Sequence, residues 1–378
     1  MVSKLALILG GITLFWILAY SLRGNDQDES EEGLSVDLFV AMWRTKRLLG
    51  FIDRVASKGP RFWKVYADIG IALGYMGMAY VFYALTKTAL KTIHTGGKQA
   101  GVQLVIPGVT IPLWYGIIGL IVVMVVHELS HGIVARAENL PLKSVGLVLL
   151  AVIPGAFVEP DEEKLGKAPL RSRLRVYGAG SMANIVTAII ASLLVAYVVS
   201  PLIVPAGVEV KGIVKNSPAD GVLKVGDVIV SIDGRDVSTL DEFIKVMNKT
   251  RPGQVINMEI VRNGEHLNLK LKLGKHPENP EKGFIGIQPA QHVKSKVGME
   301  WVILPLFFSL YWIYLLNVGI GLMNLFPLIP LDGGRMIDDL LKEYLPERIA
   351  LPVRYAIVGI GLLLLGLNLW PAVANLIR

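Results

Sequence analysis

Long uncharged runs alternate with short charged stretches along this chain. Six apolar stretches, at about 5–22, 69–86, 114–137 (uncharged from Trp114 to Val126), 176–199, 301–323 and 355–377, approach or exceed the length of roughly 20 residues that crosses a bilayer as a helix. The expected fold is an α-helical polytopic membrane protein with about six transmembrane helices. For the first run a cleaved leader is the alternative, but no Ala-x-Ala site follows it. Gly70 and Gly74 in the second run, and Gly178 to Ala183 at the start of the fourth, are small residues of the kind that lets helices approach closely. The fifth run continues uncharged to Leu331, but Pro327 and Pro330 block helix continuation, so a helix end near Met323 is expected with irregular backbone beyond it.

Shorter patterns fill the gaps. Residues 37–56 carry apolar positions such as Leu38, Trp43, Leu49 and Ile52 among Arg44, Arg47 and Arg54, which predicts an amphipathic helix on the membrane surface or packed on a loop. Residues 101–112 are apolar and β-branched but too short to span. Residues 145–160 are apolar yet broken by Pro154-Gly155, which predicts a re-entrant hairpin or strand. Residues 206–275 switch to alternation with period two. Asp233-Gly234 and Asn263-Gly264 are hairpin-turn dipeptides, and Ser238 to Glu242 opens a short helix with capping-box chemistry. This order of strands, turns and helix resembles a circularly permuted PDZ domain, a small α+β module that binds extended peptides at a sheet edge. The domain plan is then a membrane part over 1–205, a PDZ-like domain over 206–292 and a second membrane part over 293–378.

Composition agrees: 53% of residues are hydrophobic and only 18% charged, which favours membrane over soluble classes. The net charge of +7 concentrates no dense basic patch with interleaved aromatics, so nucleic acid is not an expected partner. Lys and Arg instead gather at 23–66, 136–175 and 335–354, which assigns those stretches to the cytoplasm and the PDZ-like domain to the outside. There is no cysteine, so disulfides, thiolate metal sites and Cys nucleophiles are excluded together.

The chemistry centres on His127-Glu128-Leu129-Ser130-His131 near the end of the third run. Two His four apart on a helix share one face, where both can bind one metal while the Glu activates water. Ionisable side chains in a span cost roughly 2.5–3.5 kcal/mol each on insertion scales and are kept mainly for function. Hydrolytic zinc uses three protein ligands. His94, His266, His276 and His292 fall in loops or the soluble domain. Asp332 follows the irregular stretch at the depth of the His pair and is the best third ligand, although an Asp before Gly-Gly is also a common turn. Asn184 and Asn324 are polar groups in apolar surroundings, suited either to a substrate carbonyl or oxyanion or to bonds between helices. Ser130 reads as a packing residue, and Asp338 and Asp339 as solvated loop carboxylates.

Three stretches, His127–His131, Gly180–Asn184 and Asn324-Leu325-Phe326-Pro327 with Leu331-Asp332-Gly333, resemble the signature regions of the site-2 protease family of zinc-dependent intramembrane metalloproteases. The resemblance covers 113–200 and 300–340, with the PDZ-like insertion where bacterial-type members carry theirs. It implies zinc held by His127, His131 and Asp332, Glu128 as general base, and membrane-spanning protein substrates, often anchored regulators. Gly155 to Pro160 is similar to the hairpin such enzymes use to pair with an unwound substrate, which implies substrate contacts at Gly155, Phe157 and Val158. The family's usual Gly-Pro is Gly180-Ser181 here. A PDZ-bearing membrane scaffold or chaperone of the same fold without activity is the alternative, and it predicts damage to the four site residues, all of which are intact. A metal transporter would need polar groups along a path that the first, second and last runs do not offer.

Overall fold

The computed structural model describes residues 4–22, 32–94, 102, 104–151 and 153–377. In chain order the elements are α1 (Lys4–Ser21), β1 (Gly33–Asp37), β2 (Val40–Thr45), α2 (Leu49–Ser57), α3 (Pro60–His94), α4 (Leu113–Ala137), β3 (Leu142–Leu150), β4 (Ile153–Pro160), α5 (Glu162–Lys167) and α6 (Leu170–Leu194). Then follow β5 (Ile203–Ile213), β6 (Val228–Ile232), β7 (Arg235–Asp236), α7 (Leu240–Met247), β8 (Val255–Arg262), β9 (Glu265–Lys272), β10 (Gly274–Lys275), β11 (Gly283–Phe284) and β12 (Ile287–Ser295). The chain closes with α8 (Glu300–Asn324), α9 (Asp332–Tyr344) and α10 (Glu347–Ile377). Two compact units result, one from residues 1–192 with 309–378 and one from 193–308.

Among the described residues, five helical stretches are long and apolar enough to cross a membrane: Pro60–His94, Leu113–Ala137, Leu170–Leu202, Glu300–Asn324 and Glu347–Pro371. The first expected span is the helix α1, whose fully described part, Gly10–Ser21, is shorter than a crossing needs. The protein is a polytopic helical membrane protein with an inserted α+β unit. Small residues set the helix contacts. A Cβ on Gly70 of α3 would meet the carbonyl oxygen of Gly178 of α6 at 3.0 Å, so the two backbones touch where glycine faces glycine. Around this contact Ala67, Val134, Ala135, Val176, Ala179, Leu325 and Met336 form the core of the helical unit.

That unit also holds a four-stranded antiparallel sheet in the order β1-β2-β3-β4. The expected hairpin at 145–160 is β3 and β4, with Gly146 opposite Phe157 and Leu150 opposite Ile153. The surface helix expected over 37–56 is corrected: residues 33–45 form a second hairpin paired to β3, Trp43 facing Leu147, and only Leu49–Ser57 is helical. The turn at Leu38-Phe39 takes a positive φ at Phe39 without the Gly or Asn that usually announces it. Its partner strand lies a hundred residues away in sequence, out of reach of a local pattern. In α2, Ile52 and Ala56, four apart, are the buried face. The stretch 104–112 is an irregular turn closed between Pro107 and Ile111, without a strand.

The three basic stretches are tied to one another. The sheet joins 33–45 to 142–160. Arg173 reaches Asp339 at 2.7 Å and Glu343 at 3.5 Å, and Arg335 reaches Glu162 at 3.4 Å. Asp338 and Asp339 are therefore not solvated loop carboxylates. Both lie on α9, Asp338 paired with Lys342 and Arg354. Glu138, beyond α4, accepts from Arg175 at 2.8 Å and from Ser172 at 2.6 Å.

The inserted unit is a sheet in the order β12-β5-β6-β8-β9, with α7 against β5 and β12. Val208, Ile229, Ile232, Ile256, Met258 and Ile260 make its buried core, Ile256, Met258 and Ile260 as alternate residues of β8 and Ile229 and Ile232 on either side of a register shift in β6. Helix α7 starts with the expected capping box, Thr239 and Glu242 each satisfying the other's backbone N–H. This is the PDZ-like domain that the strand order implied.

Candidate metal centre

Helix α4 places His127 and His131 one turn apart, and the start of α9 brings Asp332 against both. Asp332 Oδ2 lies 3.2 Å from His127 Nε2 and 3.3 Å from His131 Nε2. Donors about 2.0–2.2 Å from one tetrahedral ion stand about 3.3 Å from each other. Oδ2 is moreover buried without a hydrogen bond of its own. These three residues are the cluster among the described residues whose spacing suits a metal ion. A His–His–carboxylate set without sulfur suits zinc in the hydrolytic class.

Close backbone contacts hold the donors. Asp332 is the first residue of α9, where a carboxylate is favoured by the helix dipole. The turn 325–331 folds directly over it: a Cβ on Gly334 would meet Ile329 N and Leu328 C at 2.5 Å, so Gly-Gly after Asp332 is required by approach of main chain to main chain. On α6, a Cβ at Gly180 would stand 2.5–2.6 Å from the His127 ring. Glycine there leaves the space beside the two imidazoles open.

The other ring nitrogens are also engaged. His131 Nδ1 lies 2.7 Å from the Val176 carbonyl oxygen, and His127 Nδ1 lies 3.1 Å from Asn184 Nδ2. Ser130, between the ligands, donates to the Ala179 carbonyl at 2.9 Å and lies 3.3 Å from the Tyr66 hydroxyl, a packing role as expected. Glu128 Oε2 accepts the Val158 N–H at 3.1 Å, which joins the expected base to strand β4.

A cavity of about 340 Å³ opens on this centre, lined by Met124, His127, Glu128, His131, Phe157, Val158, Tyr177, Asn324 and Asp332 among others. Of the residues expected to meet substrate, Phe157, Val158 and Asn324 line it, and Asn324 Nδ2 is 3.5 Å from His127 Nε2. Asn184 does not: it is fully buried, on the Nδ1 side of His127. Gly155 is also outside the lining, opposite Val148 in the sheet. Val176, Tyr177 and Arg335 join the wall without having been singled out in the sequence. Only the Gly178–Ala183 run hinted that α6 comes so near.

A family model described as Peptidase family M50 matches residues 115–367. The chain belongs to peptidase family M50. This M50 peptidase is 28% identical over 350 residues to Uncharacterized protein MJ0971 of Methanocaldococcus jannaschii, covering 90% of this chain and 87% of that protein. It is 26% identical to the Membrane-bound transcription factor site-2 protease homolog of Arabidopsis thaliana over 53% of this chain and 41% of that one. It is 24% identical to the Putative zinc metalloprotease FN1322 of Fusobacterium nucleatum, over 58% of this chain and 85% of that one. The matched region contains every residue of the centre, so the resemblance first seen in three short motifs extends from α4 into α10.

Proposed function

We propose that this M50 peptidase is a zinc-dependent intramembrane endopeptidase that cleaves transmembrane segments of membrane-anchored regulatory proteins. The observation that carries the reading is the convergence of His127, His131 and Asp332 beside Glu128, in the unit that carries the membrane-capable helices. When bound, zinc supplies a Lewis acid for the scissile carbonyl and acidity for the attacking water. Glu128 takes the proton from that water and returns it to the leaving amine. Asn324, on the cavity wall, donates its amide N–H to the substrate carbonyl as negative charge develops there.

Strand β4 supports the substrate part. It is an edge of its sheet. Along an antiparallel strand, alternate residues turn their N–H and C=O away from the partner. Val158 N–H points to Glu128 rather than to β3, so Val158 and Ala156 share the outward set. Pro154 and Pro160 fall on the same alternation, where a missing N–H removes no ladder bond. A transmembrane helix hides its peptide bonds and must unwind before attack. Pairing with β4 would hold it extended beside the base. The basic stretches, tied together in the helical unit, are assigned to the cytoplasm, which puts the centre toward that side and the PDZ-like domain outside. There the domain would bind or exclude substrates according to their trimmed ends.

The test is cleavage of a single-span substrate in proteoliposomes by wild type and Glu128→Gln, each with and without a zinc chelator. Cutting within the span that disappears in both controls is expected. Binding of about one zinc per chain without cutting of any of a panel of spans would favour the scaffold reading. No zinc binding by wild type overturns the proposal.

A further inference from the structure

Both metal-facing imidazoles of α4 are met from behind by α6, but in unlike ways. His131 Nδ1 faces a carbonyl oxygen, Val176 O, which can only accept, so that ring carries its proton on Nδ1 and leaves Nε2 free as a ligand. His127 Nδ1 faces an amide, Asn184, which can donate or accept. Asn184 is fully buried, its Nδ2 lies 3.1 Å from Nδ1, and its Oδ1 is buried without any partner. A buried amide oxygen left unmatched costs free energy, and a half-turn of the amide would point this one at Nδ1.

We infer that Asn184 is the positioning residue of ligand His127, its amide reversing to suit either arrangement of the ring proton. The inference rests on the proposed zinc site. With the centre empty, His127 Nε2–H can point at Asp332 Oδ2, 3.2 Å away, while Nδ1 accepts from the Asn184 amide N–H. With an ion on Nε2, the ring proton must sit on Nδ1, and Asn184 Oδ1 becomes its acceptor. No group gains or loses a net proton. The reversal explains why an amide stands here, since an apolar side chain would serve neither state. Asn184 is held for this role at a tight crossing: a Cβ on Gly321 of α8 would meet Asn184 Cβ at 2.8 Å.

The experiment measures zinc affinity of the full-length protein by chelator competition, with kcat and KM on a single-span substrate, for wild type, Asn184→Leu and Asn184→Asp. Partners behind a metal ligand are worth about 10–100-fold in affinity. Asn184→Leu is expected to bind zinc about 10–100-fold more weakly, and Asn184→Asp, which keeps an acceptor, to bind within about threefold of wild type or more tightly. Should the Leu chain fail to fold at the crossing, the Asp variant decides alone. Zinc binding by Asn184→Asp as weak as a tenth of wild type overturns the inference. So does an unchanged affinity in Asn184→Leu, or a raised KM with unchanged affinity, which would place Asn184 against substrate. Absence of zinc from wild type would instead overturn the proposed function itself.

Discussion

Asp227 in the inserted unit and Asp332 in the helical unit are both carboxylates held away from water, and they are answered differently. Asp227, at 1% exposure, accepts from both Nε and Nη2 of Arg262 at 2.7 Å, and from the Lys224 N–H at 2.7 Å. Its charge is cancelled within the chain. Asp332 has, among the described residues, two imidazoles within 3.3 Å and one oxygen without a hydrogen bond. Yet the main chain is pressed against it closely enough to demand Gly333-Gly334. A matched ion pair explains itself by stability. An unmatched carboxylate that the fold nevertheless holds in place points to a cation from outside the chain.

Substitution should separate the two sharply. The largest effect belongs to the metal side: Glu128→Gln is expected to lower cleavage at least about 100-fold while retaining zinc, read by metal analysis of the purified protein. Asp332→Asn should lower zinc affinity more than about 100-fold, beyond the loss typical of outer-shell partners. The metal-free protein should keep its thermal midpoint, because the amide oxygen of Asn still offers the two imidazoles an acceptor. Asp227→Asn should do the reverse, leaving zinc binding alone and costing the inserted unit about 2–3 kcal/mol, below the usual range for a broken buried pair because Arg262 is 21% exposed. Amide exchange of β6 and β8 in the full-length protein would read that loss. If Asp332→Asn destabilised the helical unit as much, the contrast would collapse.

Acid sharpens the comparison further. Burial pushes the Asp227 carboxyl up, but Arg262 and the Lys224 N–H outweigh it and hold the carboxyl below the ordinary aspartate range. Its contribution to stability is therefore complete above the unfolded value of about 3.9 and fades as pH falls below it. Exchange from β6 and β8 should rise in that window in wild type and show no such step in Asp227→Asn. The smallest effect is local: Thr239→Ala removes half of the α7 capping box and should cost about 1 kcal/mol, confined to the inserted unit.

The two regions also differed in how legible they were. The PDZ-like unit is written locally. Asp233-Gly234, Asn263-Gly264 and the capping box mark its turns and helix within a few residues of where they act. The His-Glu helix is equally local, and Asp332 could be found because the donor set lacked a third member and the uncharged run before it contained two prolines. What escaped was long-range. Strands β1 and β2 could not be told from an amphipathic helix, because β3, the strand that selects the extended form, enters the chain only at Leu142. The place of Asn184 escaped for a related reason. Its residue type suits substrate and ring nitrogen alike, and only the crossing of α6 with α4 and α8 puts it behind His127.

The distance along the chain between His131 and Asp332 also sets an order in time. A ribosome adding about 5–20 residues per second needs roughly 10–40 s to travel the 200 or so residues between them. During that interval the nascent chain carries the His pair and Glu128 but lacks the carboxylate that completes the set. The centre thus matures only when the inserted domain has been made and α9 begins to fold. On the proposed ligand set, α4, α6 and α8 are all made before the third ligand, and of the membrane-capable helices only α10 remains to follow it.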